Sequence, residues 1–366
     1  MQFDRRIFLQ GSAAFLTGLP GLSAIAATQT AFAPNPAAWR NYKVITRIEI
    51  KASGNAAQAW IPLPSVNEAL WSKSGGSQWT TNGNAAVWRD PVYAAEILHV
   101  EWTKGDAPHT AETTSIVALR DRKVDLSAHA GHTAELSPAD RAFYTAGSDF
   151  IPVDGIVKET SDKITSGRQT DIEKVHAIYD WVVENTYRDA AVRGCGTGDI
   201  VAMLKSGNFG GKCADLNALF VGLVRAAGIP ARDIYGVRVA PSRFGYASLG
   251  PRSGIVTKAQ HCRAEVFFSG HGWVATDPAD VRKVMLEEPP GYLAIDNQKV
   301  IAARRVLFGA WEGNWLPYNT AHDIALPGSN GPKLAFLMYP QAEIAGQRVD
   351  CLNADTFKYS ITASEV

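Results

Sequence analysis

The sequence predicts an α+β protein. In its core, a helix bearing a cysteine packs on an antiparallel sheet bearing a histidine and an aspartate, and a β-rich module precedes this core. Three observations favour this class. Short alternating runs fill the chain up to about residue 126, apolar residues recur at helical spacing between residues 171 and 227, and alternating runs return after Gly228.

The composition is that of a soluble globular protein. Hydrophobic residues make up 46% of the 366 residues and charged residues 20%, which excludes a disordered or membrane-spanning chain. Lysine plus arginine and aspartate plus glutamate both number 36, so the formal net charge is zero. This balance provides no overall basic excess for nucleic acid or an anionic membrane, and we predict neither partner.

The first residues are predicted to be a targeting segment. Arg5 and Arg6 precede a moderately apolar stretch over 11–22, which is too short to span a bilayer. Small-x-small cleavage signals follow at 24–26 and 31–33. The segment resembles a bacterial twin-arginine signal, which exports folded proteins, so we expect a periplasmic or secreted protein. A disordered basic tail is the alternative.

Four consecutive parts are predicted. They are a signal segment (1–33), a β-rich N-terminal module (34–135), a core (136–300) and a β-rich C-terminal extension (301–366). Within the N-terminal module, runs such as KVITRIEIKA and AAEILHVEWT alternate between apolar and polar residues, with Gly, Pro and Asn between the runs. This pattern indicates a β-sandwich or an open β-sheet.

Two helices are predicted before the cysteine. Thr170 is suited to cap an amphipathic helix over 171–187, and a shorter helix follows in DIVAMLKSG. The apolar residues of the first helix at helical spacing are Ile172, Val175, Ile178, Tyr179 and Val182.

Cys213 lies in the first turn of the next predicted helix. The apolar stripe of this helix ends at Gly228, and Pro230 follows, which is typical of a helix C-terminus. At a helix N-terminus, the helix dipole and the neighbouring Lys212 stabilise a thiolate, which is the form that attacks. A buried cysteine that only fills core space is the alternative. The apolar stripe consists of Leu216, Leu219, Phe220, Leu223, Val224 and Ala227.

A hairpin supplies partners for this thiol. We predict strands over 261–267 and 271–277, joined by a three-residue loop that has Gly270 in the left-handed conformation. In this register His261 lies opposite Asp277, so a carboxylate can orient the imidazole that accepts the thiol proton. A four-residue loop would set His261 opposite Asp280, which we keep as the alternative. Without Cys213, we would interpret His261 as a structural histidine and Asp277 as a turn residue.

The other cysteines give no metal-binding pattern. Cys195, Cys262 and Cys351 show no metal-ligand spacing with each other or with Cys213, and disulfides among them are allowed but not required. Cys262 is predicted to be buried on the strand face opposite His261.

Together these residues resemble the transglutaminase-like superfamily, whose core is a papain-like cysteine–histidine–aspartate fold. The resemblance covers roughly residues 165–280. The matching segments are Gly211-Lys212-Cys213-Ala214-Asp215 for the G-x-C-x-D motif, RAAGIPAR over 225–232, and His261, Glu265-Val266, Gly272-Trp273 and Asp277-Pro278 for the histidine and aspartate motifs.

The resemblance implies acyl transfer through a thioester, without a cofactor and with a peptide or protein substrate. Cys213 would attack an amide carbonyl, His261 would move the proton and Asp277 would hold the imidazole. Hydrolysis is favoured over cross-linking to an amine. A catalytically silent periplasmic binding or assembly module is kept as an alternative. A metal protein using Cys213 and His261 would lack further ligands, and we predict no metal.

Three further residues are candidates for the site. The Cys213 backbone N–H would supply one oxyanion donor, and Asn208 and Tyr187 are candidates for the second. Arg263 stands where members of the superfamily often have an aromatic residue. It is predicted either to bind an anionic group of the substrate or to be a solvated strand arginine.

Overall fold

A computed structural model describes residues 31–51, 54–105, 107–127 and 135–366. The predicted signal segment lies outside the described residues, apart from its last three. The strands are β1 (Arg40–Ile50), β2 (Ala57–Pro62), β3 (Ser72–Thr81), β4 (Asn84–Arg89), β5 (Glu96–Trp102), β6 (His109–Leu119), β7 (Arg122–Lys123), β8 (Tyr187–Arg188), β9 (Gly210–Gly211), β10 (Ala231–Arg238), β11 (Gln260–Phe268), β12 (Gly272–Thr276), β13 (Ala310–Trp311), β14 (Trp315–Asn319), β15 (His322–Ile324), β16 (Leu334–Phe336), β17 (Gln341–Ile344), β18 (Gln347–Arg348) and β19 (Lys358–Glu365). The helices are α1 (Pro138–Thr145), α2 (Gly155–Thr165), α3 (Asp171–Asn185), α4 (Ile200–Ser206), α5 (Cys213–Ala226), α6 (Pro278–Glu287) and α7 (Gln298–Val306).

Two antiparallel sheets form a sandwich around a shared apolar core. One sheet has the order β19-β1-β6-β3 and the other β18-β17-β2-β5-β4. Burial alternates along β1, because one face of that strand packs inward and the other faces solvent. Ile48 and Ala111 of the first sheet share a core cluster with Leu98 and Ala342 of the second. The sandwich therefore contains strands from both ends of the chain, since β17, β18 and β19 complete its two sheets.

The predicted α+β core is confirmed, with a helix packed on an antiparallel sheet. The sheet has the order β12-β11-β10-β14, and α5 packs on β10 and β11. Every residue of α5 is buried, because α2, α3, α4 and α6 pack around the helix on its other sides. An apolar surface on all sides is what a fully enclosed helix requires. None of the helices in the described ranges is long and apolar enough to cross a membrane.

The helix boundaries follow the predicted signals. Thr170 caps α3, where its hydroxyl accepts a hydrogen bond from the N–H of Glu173 and the Glu173 carboxylate accepts one from the N–H of Thr170. After α5, Gly228 has a φ of +79°, and the N–H of Ile229 returns to the carbonyl of Val224. Only glycine adopts this left-handed conformation without strain, which explains its position after the helix.

The predicted hairpin is present, but its predicted register is wrong by two residues. Phe268 pairs with Gly272 and Ala264 with Thr276, so the loop contains residues 269–271. β12 ends at Thr276, and Asp277 is the N-cap of α6 instead of a strand residue facing His261. A shift of two residues keeps every strand side chain on its predicted face, because the period of a strand is two.

A buried ion network joins the sandwich side of the molecule to the sheet. Arg232 donates from Nε to Glu265 over 2.6 Å and from Nη2 to Glu68 over 2.8 Å. Arg122 forms an ion pair with the same Glu265, whose side chain is fully buried. Removing one partner of such a pair would leave an uncompensated buried charge, at a cost of roughly 3–5 kcal/mol. Its geometry therefore fixes β10 and β11 relative to the segment before β3.

Candidate active site

Cys213 is the first residue of α5 and is preceded by the short strand β9. As the first helical residue, its N–H has no hydrogen-bond partner within the helix. The next N–H, that of Ala214, donates to the carbonyl of Cys195 over 2.9 Å. This contact brings the loop that contains Cys195 against the first turn of α5.

Asp215 holds this arrangement together. Its carboxylate accepts hydrogen bonds from the N–H groups of Lys212 at 2.9 Å, Thr197 at 2.8 Å and Gly198 at 2.9 Å. A Cβ at Gly196, where φ is +99°, would clash with the same carboxylate. The aspartate of the G-x-C-x-D motif thus joins the glycine loop (residues 194–198) to the start of α5 by hydrogen bonds. The sequence did not reveal this role.

His261 contacts both the thiol and a carboxylate. Its Nε2 lies 2.8 Å from Oδ2 of Asp277, and the side chain is within interaction distance of the Cys213 thiol. Because Nε2 is bonded to Asp277, Nδ1 is the nitrogen that remains for the thiol. The Asp277 carboxylate is held in turn by the backbone N–H of Asp280 at 3.0 Å and by Nδ2 of Asn217 at 3.3 Å.

Asp280 also lies against the imidazole. Its Oδ1 is 3.3 Å from Nε2 of His261, and Nη2 of Arg238 donates to both of its oxygens at 2.5 and 2.6 Å. The two candidate aspartates therefore share one imidazole nitrogen, with Asp277 the closer. His261, Asp277 and Asp280 also cluster tightly enough to be considered as metal ligands. Arg238 already binds both oxygens of Asp280, so a positive charge stands where a cation would bind.

The electrostatics favour a charged thiolate and imidazolium. The thiols of Cys195 and Cys262, and then His261, hold the pKa of Cys213 well below its usual range, although burial opposes this. Burial alone would lower the pKa of His261, but the Asp280 and Asp277 carboxylates raise it to about 9. Burial and the Asp280 charge raise the pKa of Asp277. Burial would also raise the pKa of Asp280, yet Arg238 keeps it well below its usual range.

All four cysteines are free thiols, and three of them meet at the site. Cys262 is buried as predicted, and both it and Cys195 lie within hydrogen-bonding reach of the Cys213 thiol. Sequence reasoning left Cys195 without a role. The one available signal was the glycine-rich segment around it, in which Gly196 leaves room for the Asp215 carboxylate.

A cavity of about 470 Å³ has both Cys213 and His261 on its wall. Gly194 and Cys195 also line it, as do Tyr339 and Tyr359 of the C-terminal part. Cys213 as a residue is only 3% exposed, so a reactant reaches its sulfur through this cavity.

Asn208 and Tyr187 do not line this cavity. The Tyr187 hydroxyl donates to Oδ1 of Asn208 over 2.8 Å, and Tyr187 as a residue is 46% exposed. The same Asn208 oxygen accepts the N–H of Gly210 at 3.1 Å. Their contacts are to each other and to β9, and support no contact with the predicted oxyanion.

Arg263 is neither solvated nor on the cavity wall. It is 2% exposed and packs against the rings of Trp311 and Trp315, with its Cζ at 5.1 and 4.8 Å from their centroids. Its Nε is 3.7 Å from Oδ2 of Asp277. The guanidinium therefore faces the Asp277 carboxylate from within the core, and the predicted substrate contact finds no support in this position.

Gln260 is a further polar residue of the site that sequence reasoning missed. It lies on the cavity wall, directly before His261 in β11. Its side-chain Nε2 is buried and has no hydrogen-bond partner among the described residues. An unsatisfied buried donor is uncommon and costs free energy unless a ligand or water satisfies it.

Residues 158–278 match the sequence profile of the transglutaminase-like superfamily. A protein of Haemophilus influenzae with no characterised function is 34% identical over 334 residues, which cover 86% of this chain and 88% of that protein. A crystal structure of a candidate cysteine protease from Cytophaga hutchinsonii superposes with a TM-score of 0.57 at 12% identity, covering 90% of this chain and 92% of that one. That likeness concerns the fold. With the motif residues gathered at one site, the profile match shows that the chain belongs to the transglutaminase-like superfamily through the core over residues 158–278.

Proposed function

We propose that the chain is a cysteine-dependent hydrolase of peptide or amide bonds that works through a thioester. The observation that carries the proposal is the position of His261, which contacts the Cys213 thiol and is bonded through Nε2 to Asp277 at 2.8 Å. A nucleophile beside a base that a third group orients is the arrangement that acyl transfer requires.

The first half of the reaction forms the thioester. The Cys213 thiolate attacks the amide carbonyl carbon, a C–S bond forms, and the carbonyl electrons move to oxygen. The oxyanion then reforms the carbonyl as the C–N bond breaks, and the His261 imidazolium gives its proton to the leaving nitrogen. The products of this half are an amine and an acyl thioester on Cys213.

The second half releases the acid. Neutral His261 takes a proton from water as the water oxygen attacks the thioester carbonyl. The C–S bond breaks, the thiolate leaves, and the imidazolium is restored. Asp277 keeps Nδ1 directed at the reacting atoms in both halves, because its bond to Nε2 fixes the ring.

Two donors are proposed for the oxyanion. One is the backbone N–H of Cys213, which is free of helical bonds and has the helix dipole behind it. The other is Nε2 of Gln260, which has no partner and belongs to a residue on the same cavity wall. Gln260 replaces Asn208 and Tyr187 in this role, since those two residues bond to each other outside the cavity.

A catalytically silent module is the second candidate, because Cys213 is 3% exposed. Alkylation of the cysteines distinguishes this candidate from the enzyme. An ordinary thiol has a pKa near 8.5, so at about pH 6 iodoacetamide should alkylate Cys213 faster than the other three cysteines. His261→Ala should reduce this advantage, because the imidazolium that helps to stabilise the thiolate is lost while the Cys195 and Cys262 thiols remain.

The labelling is followed by mass-spectrometric peptide mapping over a time course. Cys351 is the internal reference, since burial raises the pKa of its thiol although it lines the same cavity. Labelling of Cys213 no faster than Cys351, or an unchanged rate in His261→Ala, would favour the silent module.

A second prediction concerns Gln260. Gln260→Met should lower turnover by roughly 10²- to 10³-fold, as expected for loss of one oxyanion donor. The rate at which iodoacetamide alkylates Cys213 should stay unchanged, because alkylation develops no oxyanion. The side chain makes no hydrogen bond through Nε2 that folding would lose. Equal losses in alkylation and turnover would instead mean that the substitution disturbs the thiol.

The acyl acceptor is tested by competition. A mixed synthetic peptide library is incubated with the protein and a fluorescent primary amine, and the products are identified by mass spectrometry. We expect new free carboxylates in excess over amine adducts, because water needs no second binding site. Amine adducts as the main product would establish the cross-linking alternative, and Cys213→Ala should abolish both products.

We also propose that the protein is exported by its twin-arginine-type segment. Replacing Arg5 and Arg6 together by lysine should retain the protein in the cytoplasm, because the export receptor reads the arginine pair as well as its charge. Fractionation of cells followed by immunoblotting measures this. Unchanged periplasmic yield in the double variant would mean that another route exports the chain.

A further inference from the structure

The wall of the cavity at Cys213 carries basic side chains and no acidic ones within the described ranges. Its charged residues, apart from His261, are Arg188, Arg193, Lys212, Arg238, Lys258 and Lys283. The chain as a whole is neutral, so this distribution is local. A concave surface lined by one sign of charge concentrates ligands of the opposite sign.

Carboxylates behind the wall neutralise only part of this charge. Arg238 is taken up by Asp280, and Arg193 pairs with Asp350 at 2.7 Å. Arg188 and Lys283 share one acid, Glu287, whose carboxylate is 3.6 Å from the Lys283 ammonium and in direct contact with Arg188.

Two lysines are left without a counterion. Neither Lys212 nor Lys258 forms an ion pair with any residue that the structure describes. Lys212 directly precedes the nucleophile, and Lys258 lies three residues before His261. These unpaired charges therefore come from both segments that carry the reacting groups.

We propose that the cavity selects acyl donors that carry a carboxylate next to the scissile amide, and that Lys212 and Lys258 bind that carboxylate. The proposal rests on the proposed function, because it names the substrate class of the same site. The carboxylate can belong to an Asp or Glu side chain or to the free C-terminus of a peptide. Both present the same anionic group to an ammonium.

Stabilising the Cys213 thiolate does not require all of the positive charge on the cavity wall. His261 already supplies a cation beside the sulfur, and the neighbouring Cys195 and Cys262 thiols also lower the pKa of Cys213. The cations also oppose one another, since burial and the nearby Arg238 charge lower the pKa of Lys283. A bound anion would relieve this repulsion, and the thiolate alone leaves it in place.

The first test compares two alkylating reagents that differ in charge. Iodoacetate is anionic and iodoacetamide is neutral, so the ratio of their rates at Cys213 reports the local potential. Loss of a lysine changes the thiol pKa, but that change affects both reagents equally and cancels in the ratio. We expect the ratio to fall roughly 3- to 10-fold in the double variant K212Q/K258Q, as for removal of nearby exposed charges.

The matched control is Lys205→Gln. Lys205 is exposed in the last turn of α4 and does not line the cavity. The ratio should be unchanged in this control, and the effect in the double variant should shrink at high salt because exposed charges are screened. A ratio in K212Q/K258Q equal to that of the unsubstituted protein would overturn the proposal.

The second test measures binding without catalysis, so it stands even if the proposed hydrolysis fails. The Cys213→Ala protein is titrated with fluorescent peptides of one sequence that carry Glu or Gln at the central position, each with a free or an amidated C-terminus. Tighter binding of either acidic form, lost in K212Q/K258Q but kept in Lys205→Gln, supports the proposal and identifies the source of the carboxylate. Equal binding of all four peptides would contradict it, whereas acid-selective binding without any turnover would count only against the hydrolase.

Discussion

The contact between Nε2 of His261 and Asp277 decides which nitrogen of the imidazole meets the thiol. An imidazole that was free to turn would present either nitrogen, and the proton would have no fixed path. With Nε2 held, Nδ1 is the only nitrogen left for Cys213. The position of Asp277 as the N-cap of α6 strengthens this constraint, since the N–H of Asp280 bonds to the same carboxylate at 3.0 Å. The start of a helix therefore aligns the ring.

Two buried carboxylates beside one imidazole would repel each other without a balancing charge. Arg238 balances Asp280 and Arg263 approaches Asp277, so each acid has its own cation in addition to the shared histidine. These arginines come from β10 and β11, and Arg263 packs against the rings of two tryptophans. The charge balance of the site thus depends on the packing of the central sheet, which links stability of the fold to protonation of His261.

Much of the site could be predicted because its signals are local. Gly228 and Pro230 mark the end of the cysteine helix, and strand periodicity kept the His261 face correct even though the predicted hairpin register was wrong by two residues. The roles of Asp215, Gln260 and Arg263 could not be predicted in this way. Each depends on what another segment brings near it: the glycine loop for Asp215, the cavity for Gln260 and two tryptophans for Arg263.

The C-terminal part of the chain shapes access to the nucleophile. Tyr339 and Tyr359 line the cavity but lie outside residues 158–278, which match the superfamily profile. Tyr359 belongs to β19, which pairs with β1 in the sandwich. The part of the cavity wall that Tyr359 forms is consequently fixed by long-range strand pairing between the two ends of the chain. The candidate catalytic residues Cys213, His261 and Asp277 therefore lie in the core that matches the profile, while the cavity beside them is partly shaped by segments whose placement no local pattern encodes.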